Sequence, residues 1–141
     1  MRDIRWRLHL KSPPSRVYGF LALDAGRTRW WAEHSEEIDG LVTLRFVNGQ
    51  ELIAPVLLRE PPSRFELRYF GGSEAIFDLR EDGAGGTDLD FTERNVPAEQ
   101  WTQNHAGWLS VLLALKAACD FGVDLRNHDP ARSWDQGYVD N

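Results

Sequence analysis

The chain has 141 residues, a length that fits one domain and is enough to bury a core without disulfide or metal staples. Its formal charge of −6 excludes the dense basic patch by which proteins hold nucleic-acid phosphates, and its single cysteine, Cys119, excludes an internal disulfide and a multi-cysteine metal site. Six tryptophans, seven phenylalanines and three tyrosines supply apolar surface for a core and for lining a cavity.

Met1-Arg2-Asp3 leads straight into an alternating stretch with no apolar signal segment, and no run approaches the roughly 18 apolar residues of a membrane span. A cytoplasmic protein with no membrane insertion is the expectation. From Arg2 to Lys11, Ile4, Trp6, Leu8 and Leu10 alternate with Arg5, Arg7, His9 and Lys11, which predicts a strand with one face buried. Ser12-Pro13-Pro14 stops that strand and opens a helix, with Ser12 as cap and Pro13 at the first helical position. Val17, Tyr18, Phe20 and Leu21 recur at helical spacing until Asp24-Ala25-Gly26, and a second short helix is expected to run to Trp30-Trp31.

Glu33 to Asn95 has the texture of a strand meander. Asn48-Gly49 is a hairpin signal, and Leu52 to Leu58, apolar at nearly every position, predicts a strand buried on both faces. Phe65, Leu67 and Tyr69 alternate with charged residues before Gly71-Gly72; Phe77 and Leu79 follow, then the turn Asp82 to Gly86, then Leu89 and Phe91. Short turns between adjacent runs make the sheet antiparallel. Pro97 opens the longest helix, to about Phe121. On it Trp101, His105, Trp108, Leu112, Leu115 and Cys119 form an apolar stripe that Leu109, Val111 and Ala118 widen. Gly107 inside it costs about 1 kcal/mol relative to Ala, which fits either close packing on the sheet or room for a ligand. The polar tail 123–141 carries Trp134 and Tyr138, so it is expected to pack on the body.

These elements make an α+β chain in which a curved antiparallel sheet of six to seven strands wraps a long C-terminal helix, with two short helices after the first strand. Ser12-Pro13-Pro14 with Val17-Tyr18, Trp30-Trp31, Pro61-Pro62-Ser63-Arg64-Phe65, Gly85-Gly86-Thr87-Asp88-Leu89 and Gly107-Trp108 with Leu112 and Leu115-Lys116 appear in this order. Over residues 2–122 the chain thereby resembles the START-like (SRPBCC, helix-grip) superfamily, and within it the group named after the activator of Hsp90 ATPase. The resemblance implies a single domain with a deep cavity between sheet and helix, used by relatives for lipids, polyketides, hormones or other apolar molecules and in some for catalysis. It does not imply one activity, because function belongs to the site and not to the fold.

Catalytic signatures are few. There is no Gly-x-Ser-x-Gly, no phosphate-binding loop before a helix and no His-Glu-x-x-His. His34-Ser35-Glu36 lacks the downstream cysteine pair of a zinc deaminase. His105, on the stripe between Trp101 and Trp108, is the titratable residue expected to face the sheet, as a polar anchor, an acid or base, or a satisfied core histidine. Asn104 and Glu93 are its candidate partners, although a glutamate at a strand end is more often solvated. Cys119 has no activating partner and reads as a small hydrophobe. Trp31, Tyr69, Phe77, Phe91, His105, Trp108 and Leu112 are the expected ligand-lining residues, and a solid core would suit the same set.

The leading expectation is a binding protein for a small, largely apolar molecule, lipid- or polyketide-like, with no metal or organic cofactor. The alternatives are a protein-interaction module, acting on a protein partner or as a homodimer, and a cyclase- or hydrolase-like enzyme using His105 with a pocket carboxylate.

Overall fold

The structure is a computed structural model that describes residues 1–141. Strand β1 (Arg2–Leu10) follows the alternation that opens the chain, with Ile4 and Leu10 fully buried. Two short helices come next, α1 (Pro14–Ala22) and α2 (Asp24–Arg27). Six strands follow: β2 (His34–Ile38), β3 (Leu41–Arg45), β4 (Glu51–Glu60), β5 (Arg64–Arg68), β6 (Glu74–Glu81) and β7 (Thr87–Val96). All seven form one antiparallel sheet in the order β1-β7-β6-β5-β4-β3-β2, so only the first strand leaves the meander order to pair with the last. Register shifts between Arg2 and Ile4 and between Val56 and Leu58 mark irregularities of the kind that bend strands and help the sheet curve. A single 3-10 turn, Ala98–Gln100, then feeds the long helix α3 (Trp101–Phe121). Gly122 ends it in the left-handed conformation at φ 65°, with its N–H turned back to the last-turn carbonyls.

The register sets the interior. Phe65, Phe77, Phe91 and Trp6 stand opposite one another across β5, β6, β7 and β1, forming one aromatic rung. Burying each of the three phenylalanines, all at 1% exposure or less, stabilises the fold by roughly 1.5–3 kcal/mol. Trp108, Leu112, Leu115 and Cys119 of α3 close over this surface from the other side. No helix is long and apolar enough to cross a membrane.

Several sequence-based expectations need correction. Ser12 does not cap α1: Pro13 is the N-cap and Pro14 the first helical residue, while the Ser12 amide and hydroxyl both reach Asp120 at the end of α3. The second helix stops at Arg27, and Trp30-Trp31 lie in the turn after it. Gly26 is pressed so closely on α1 that a Cβ would sit 2.2 Å from the Gly19 carbonyl oxygen. β4 is not buried on both faces, since Ala54 alone is buried while Ile53 and Leu57 are exposed. The sheet has no second layer on its outer side, so an unbroken apolar run still leaves every second residue in water. Leu109 likewise points to solvent on the outer face of α3.

The tail 123–141 is pinned along the body. Arg126 donates to the carbonyls of Ala32 and Thr28 at 2.9 and 2.6 Å, Asn48 donates to Asp135 at 2.9 Å, and Trp134 packs edge-on against Phe46.

Candidate functional site

On β7 the inward residues are Thr87, Leu89, Phe91 and Glu93, every second position. Glu93 therefore enters the interior two residues beyond Phe91, on a rung otherwise made of Leu67, Ala75 and Ile4. It is 0% exposed. Its neighbour Arg94 points out, to Glu74.

Above it, α3 presents two different rows. Gln100, Asn104 and Trp108, at spacings of four, line the row over the end of β7. Trp108 Nε1 donates to Glu93 Oε1 at 2.8 Å, and the Asn104 amide reaches both carboxyl oxygens at 3.3 Å. Ser73, fully buried in the turn after Tyr69, places its Oγ 2.5 Å from Glu93 Oε2. The same hydroxyl lies 2.9 Å from the Phe70 carbonyl oxygen.

Counting protons shows what each state of this group requires. A serine hydroxyl carries one proton, and a backbone carbonyl only accepts. With the Ser73 proton given to Phe70, a proton on Glu93 Oε2 can be donated to Ser73, and Oε1 accepts from Trp108 and Asn104. Every polar group is then paired. With Glu93 ionised, the Ser73 hydroxyl donates to the carboxylate instead, and the Phe70 carbonyl keeps the Ser73 N–H at 3.4 Å. Burial pushes the Glu93 carboxyl above its ordinary range, against the opposing pull of hydrogen bonds from Ser73, Trp108 and Asn104. No cation offsets the burial, because Glu93 takes part in no ion pair. Glu93 is therefore harder to ionise than an ordinary glutamate.

The rings form a box beside it. Trp108 lies 4.1 Å from Phe91, 5.0 Å from Tyr69, 5.8 Å from Trp31 and 6.1 Å from Phe77, centroid to centroid. Trp31 Nε1 donates to the Tyr69 hydroxyl at 3.4 Å, and burial drives that phenol's pKa upward. Leu112 continues the box one turn along α3, at 3% exposure. Trp31, Tyr69, Phe77, Phe91, Trp108 and Leu112 thus meet in one cluster, and their rings touch each other. Two clefts of about 460 and 160 Å³ open elsewhere, one between α1 and α2 around Phe20 and the other at the end of α3 around Gly122.

His105 falls outside this cluster. It belongs to the second row of α3 with Trp101, and its ring is sandwiched between Trp101 at 4.6 Å and Trp6 at 4.7 Å. Trp6 Nε1 also donates to the His105 carbonyl at 3.2 Å. This stack, with the Arg2 guanidinium 3.8 Å over Trp101, fastens the start of α3 to the outer strand β1. His105 and Glu93 make no hydrogen bond, so the expected acid–base pair is not assembled. Cys119 is buried, with its thiol pushed up to about 12 mainly by burial, which disfavours the reactive thiolate. No three His, Cys, Asp or Glu side chains converge as a metal-ligand set.

The sheet order, the paired short helices and the closing helix make this a helix-grip fold. No protein-family model and no curated protein matches the chain. Solved structures do. An Aha1 dimer from Colwellia psychrerythraea is 25% identical over 86% of this chain and 98% of its own, with a TM-score of 0.78. Protein SSP2350 from Staphylococcus saprophyticus, 22% identical, aligns over 89% of this chain and 96% of its own at 0.77. DynU16, described as a putative protein in the dynemicin biosynthetic locus, is 20% identical over 86% of this chain and 48% of its own at 0.75. The chain has an Aha1-like fold.

Proposed function

We propose that this chain is a START-like protein of the Hsp90-ATPase-activator group that binds a small, largely apolar molecule between α3 and the sheet, with Glu93 as its polar anchor. The observation that carries the reading is a fully buried carboxyl group, without a cation, set against a box of aromatic rings. Burying such a group costs solvation that hydrogen bonds only offset. Ligand sites, in contrast, combine apolar walls with a few placed polar groups. The rings fill the space at rest, so binding requires the box to open. Phe70 and Trp134 are the part-exposed rings beside it, against Tyr69 and Phe46 respectively. The test is titration with a neutral probe, phenylpropanol, followed by tryptophan fluorescence and amide-resolved NMR. Shifts centred on Trp31, Tyr69, Glu93 and Trp108 are expected; shifts confined to the α1–α2 cleft or to the tail would overturn the assignment.

A second reading rests on the outer face of α3, where Leu109 and Leu113, one turn apart, are 46% and 48% exposed. Together with the dimer named for the Colwellia psychrerythraea structure, this favours a second copy of the chain as a partner. Sedimentation of the wild type against Leu109→Glu/Leu113→Glu decides it: a dimer that the double variant disperses supports the reading, and a wild-type monomer at high concentration removes it.

A further inference from the structure

The chemistry around Glu93 says more than that the ligand is apolar. The row Gln100, Asn104 and Trp108 lies over the end of β7, and the Gln100 Oε1 is buried there with no hydrogen-bond donor, against Gly71. The Gln100 oxygen is thus an acceptor without a donor, and Glu93, paired with Trp108 and Ser73, is held by Asn104 only through long 3.3 Å contacts. A ligand group that takes the place of the Asn104 amide on Glu93 must be an N–H or O–H donor. The walls add a second requirement, since the faces of tryptophan and tyrosine rings are negative and attract cations. No protein cation answers them. Arg68 and Arg94 turn to Glu74 on the opposite face of the sheet, β1 contributes Ile4 and β6 contributes Ala75. The charge of an ionised Glu93 would push the Tyr69 phenol further up.

We infer that the molecule held under α3 is an amine, bound as its ammonium with the charge on Glu93 and its carbons among the rings of Trp31, Tyr69, Phe77 and Trp108. The inference rests on the ligand-binding reading above and narrows it. An ammonium supplies three donors from one compact centre, enough for Glu93 and a ring face. The Asn104 amide gives way, being part-exposed and the weakest of the donors on Glu93. Binding is linked to a proton: the ammonium arrives charged, Glu93 loses its proton to solvent, and a carboxylate–ammonium pair forms in the box.

Three probes with one skeleton separate the possibilities: phenylpropylamine, phenylpropanol and phenylpropanoic acid, each titrated into the full chain. The amine should bind at least about tenfold tighter than the alcohol, a margin equivalent to one unit of pKa, and the acid should bind weakest. Amine affinity should rise with pH, by up to about tenfold per unit, while Glu93 is being deprotonated. Glu93→Gln should abolish both the amine's margin and that pH dependence. Equal binding of amine and alcohol, or tightest binding of the acid, overturns the amine while leaving the apolar-ligand reading in place. Failure of all three to perturb the box overturns both. Should Glu93→Gln not fold, the pH dependence of the wild type decides alone: a flat profile for the amine overturns the inference.

Discussion

Two charged residues are completely buried in this chain, Arg27 and Glu93, and they are treated in opposite ways. Arg27, at the end of α2, is met by Asp24 at 2.7 Å, Glu37 at 3.5 Å, the Ser35 hydroxyl at 2.9 Å and the Leu21 carbonyl at 3.0 Å. Charge and donors are answered in full, and the result ties α1, α2 and β2 together. Glu93 is given neutral donors and no countercharge. A buried ion is tolerable only when paired; an acid made harder to ionise is the other way to ease the cost. The first arrangement is a structural rivet, and the second is the kind of unfinished chemistry found at sites.

Arg27→Met is the strongest way to test this contrast. It takes the cation from Asp24, which keeps the Ser35 hydroxyl and the Glu37 amide, and strands the Leu21 carbonyl, while Glu37 keeps Arg59 at 2.6 Å, so a loss of about 3 kcal/mol is expected in urea unfolding. Glu93→Ala should cost less, about 2 kcal/mol, by orphaning the Trp108 N–H and Ser73. Glu93→Gln matters most for the comparison. Its amide accepts from Trp108 and donates to Ser73 as the neutral acid does, so the change should stay within about 1 kcal/mol. If Gln proves as damaging as Ala, Glu93 is ionised and the contrast collapses.

The pH dependence sharpens the same point. Because the folded-state pKa of Glu93 lies above its ordinary 4.5, the proton stabilises the fold. That contribution is whole below 4.5 and is lost as pH rises from there through the raised value. Wild type should therefore lose stability relative to Glu93→Gln across that window, by at most about 1.4 kcal/mol per pH unit. Parallel denaturation curves for the two proteins over the acid-to-neutral range would contradict a raised pKa.

Much of this was legible in the sequence. Alternation gave β1 and β7, the spacing of Trp108, Leu112 and Leu115 gave the buried stripe of α3, and together they brought the aromatic box into one place. Glu93 was within reach by the same logic: the period that buries Leu89 and Phe91 also buries position 93, and only the habit of assigning strand-end glutamates to solvent hid it. His105 failed for a different reason. A helical stripe is two rows wide, and Trp101 with His105 occupy the row over β1 while Asn104 with Trp108 occupy the row over Glu93. Which row covers the sheet's centre depends on how the helix crosses it, and periodicity does not carry that angle. Arg27 was invisible because α2 has four residues, too few for any period. The exposed side of β4 was hidden because an apolar run does not say whether a second layer exists.

The smallest expected effect concerns the tail. His128 sits between Glu33 at 2.6 Å and Asp124 at 2.8 Å, with a positive φ of 56°. Burial alone would depress its pKa, but the hydrogen bonds and charges of the two carboxylates outweigh it and raise the imidazole above its ordinary 6.5. A raised histidine stabilises the fold fully below 6.5 and loses that contribution as pH climbs through the raised value. Asp124, held near about 2 by Arg126 and His128 against the opposing effect of burial, is ionised throughout and does not blur the window. All three side chains are substantially exposed, so solvent screening limits the contribution to less than about 1 kcal/mol. His128→Gln should flatten the neutral-to-alkaline part of the stability profile and leave the part below the histidine's ordinary 6.5 unchanged. A tail that loosens with pH should do so locally, seen as faster amide exchange at residues 126–136 while the strands stay protected. Equal acceleration along β7 would mean that the tail and the Glu93 site open together, and the two buried charges would then no longer be separable from the segment packed beside them.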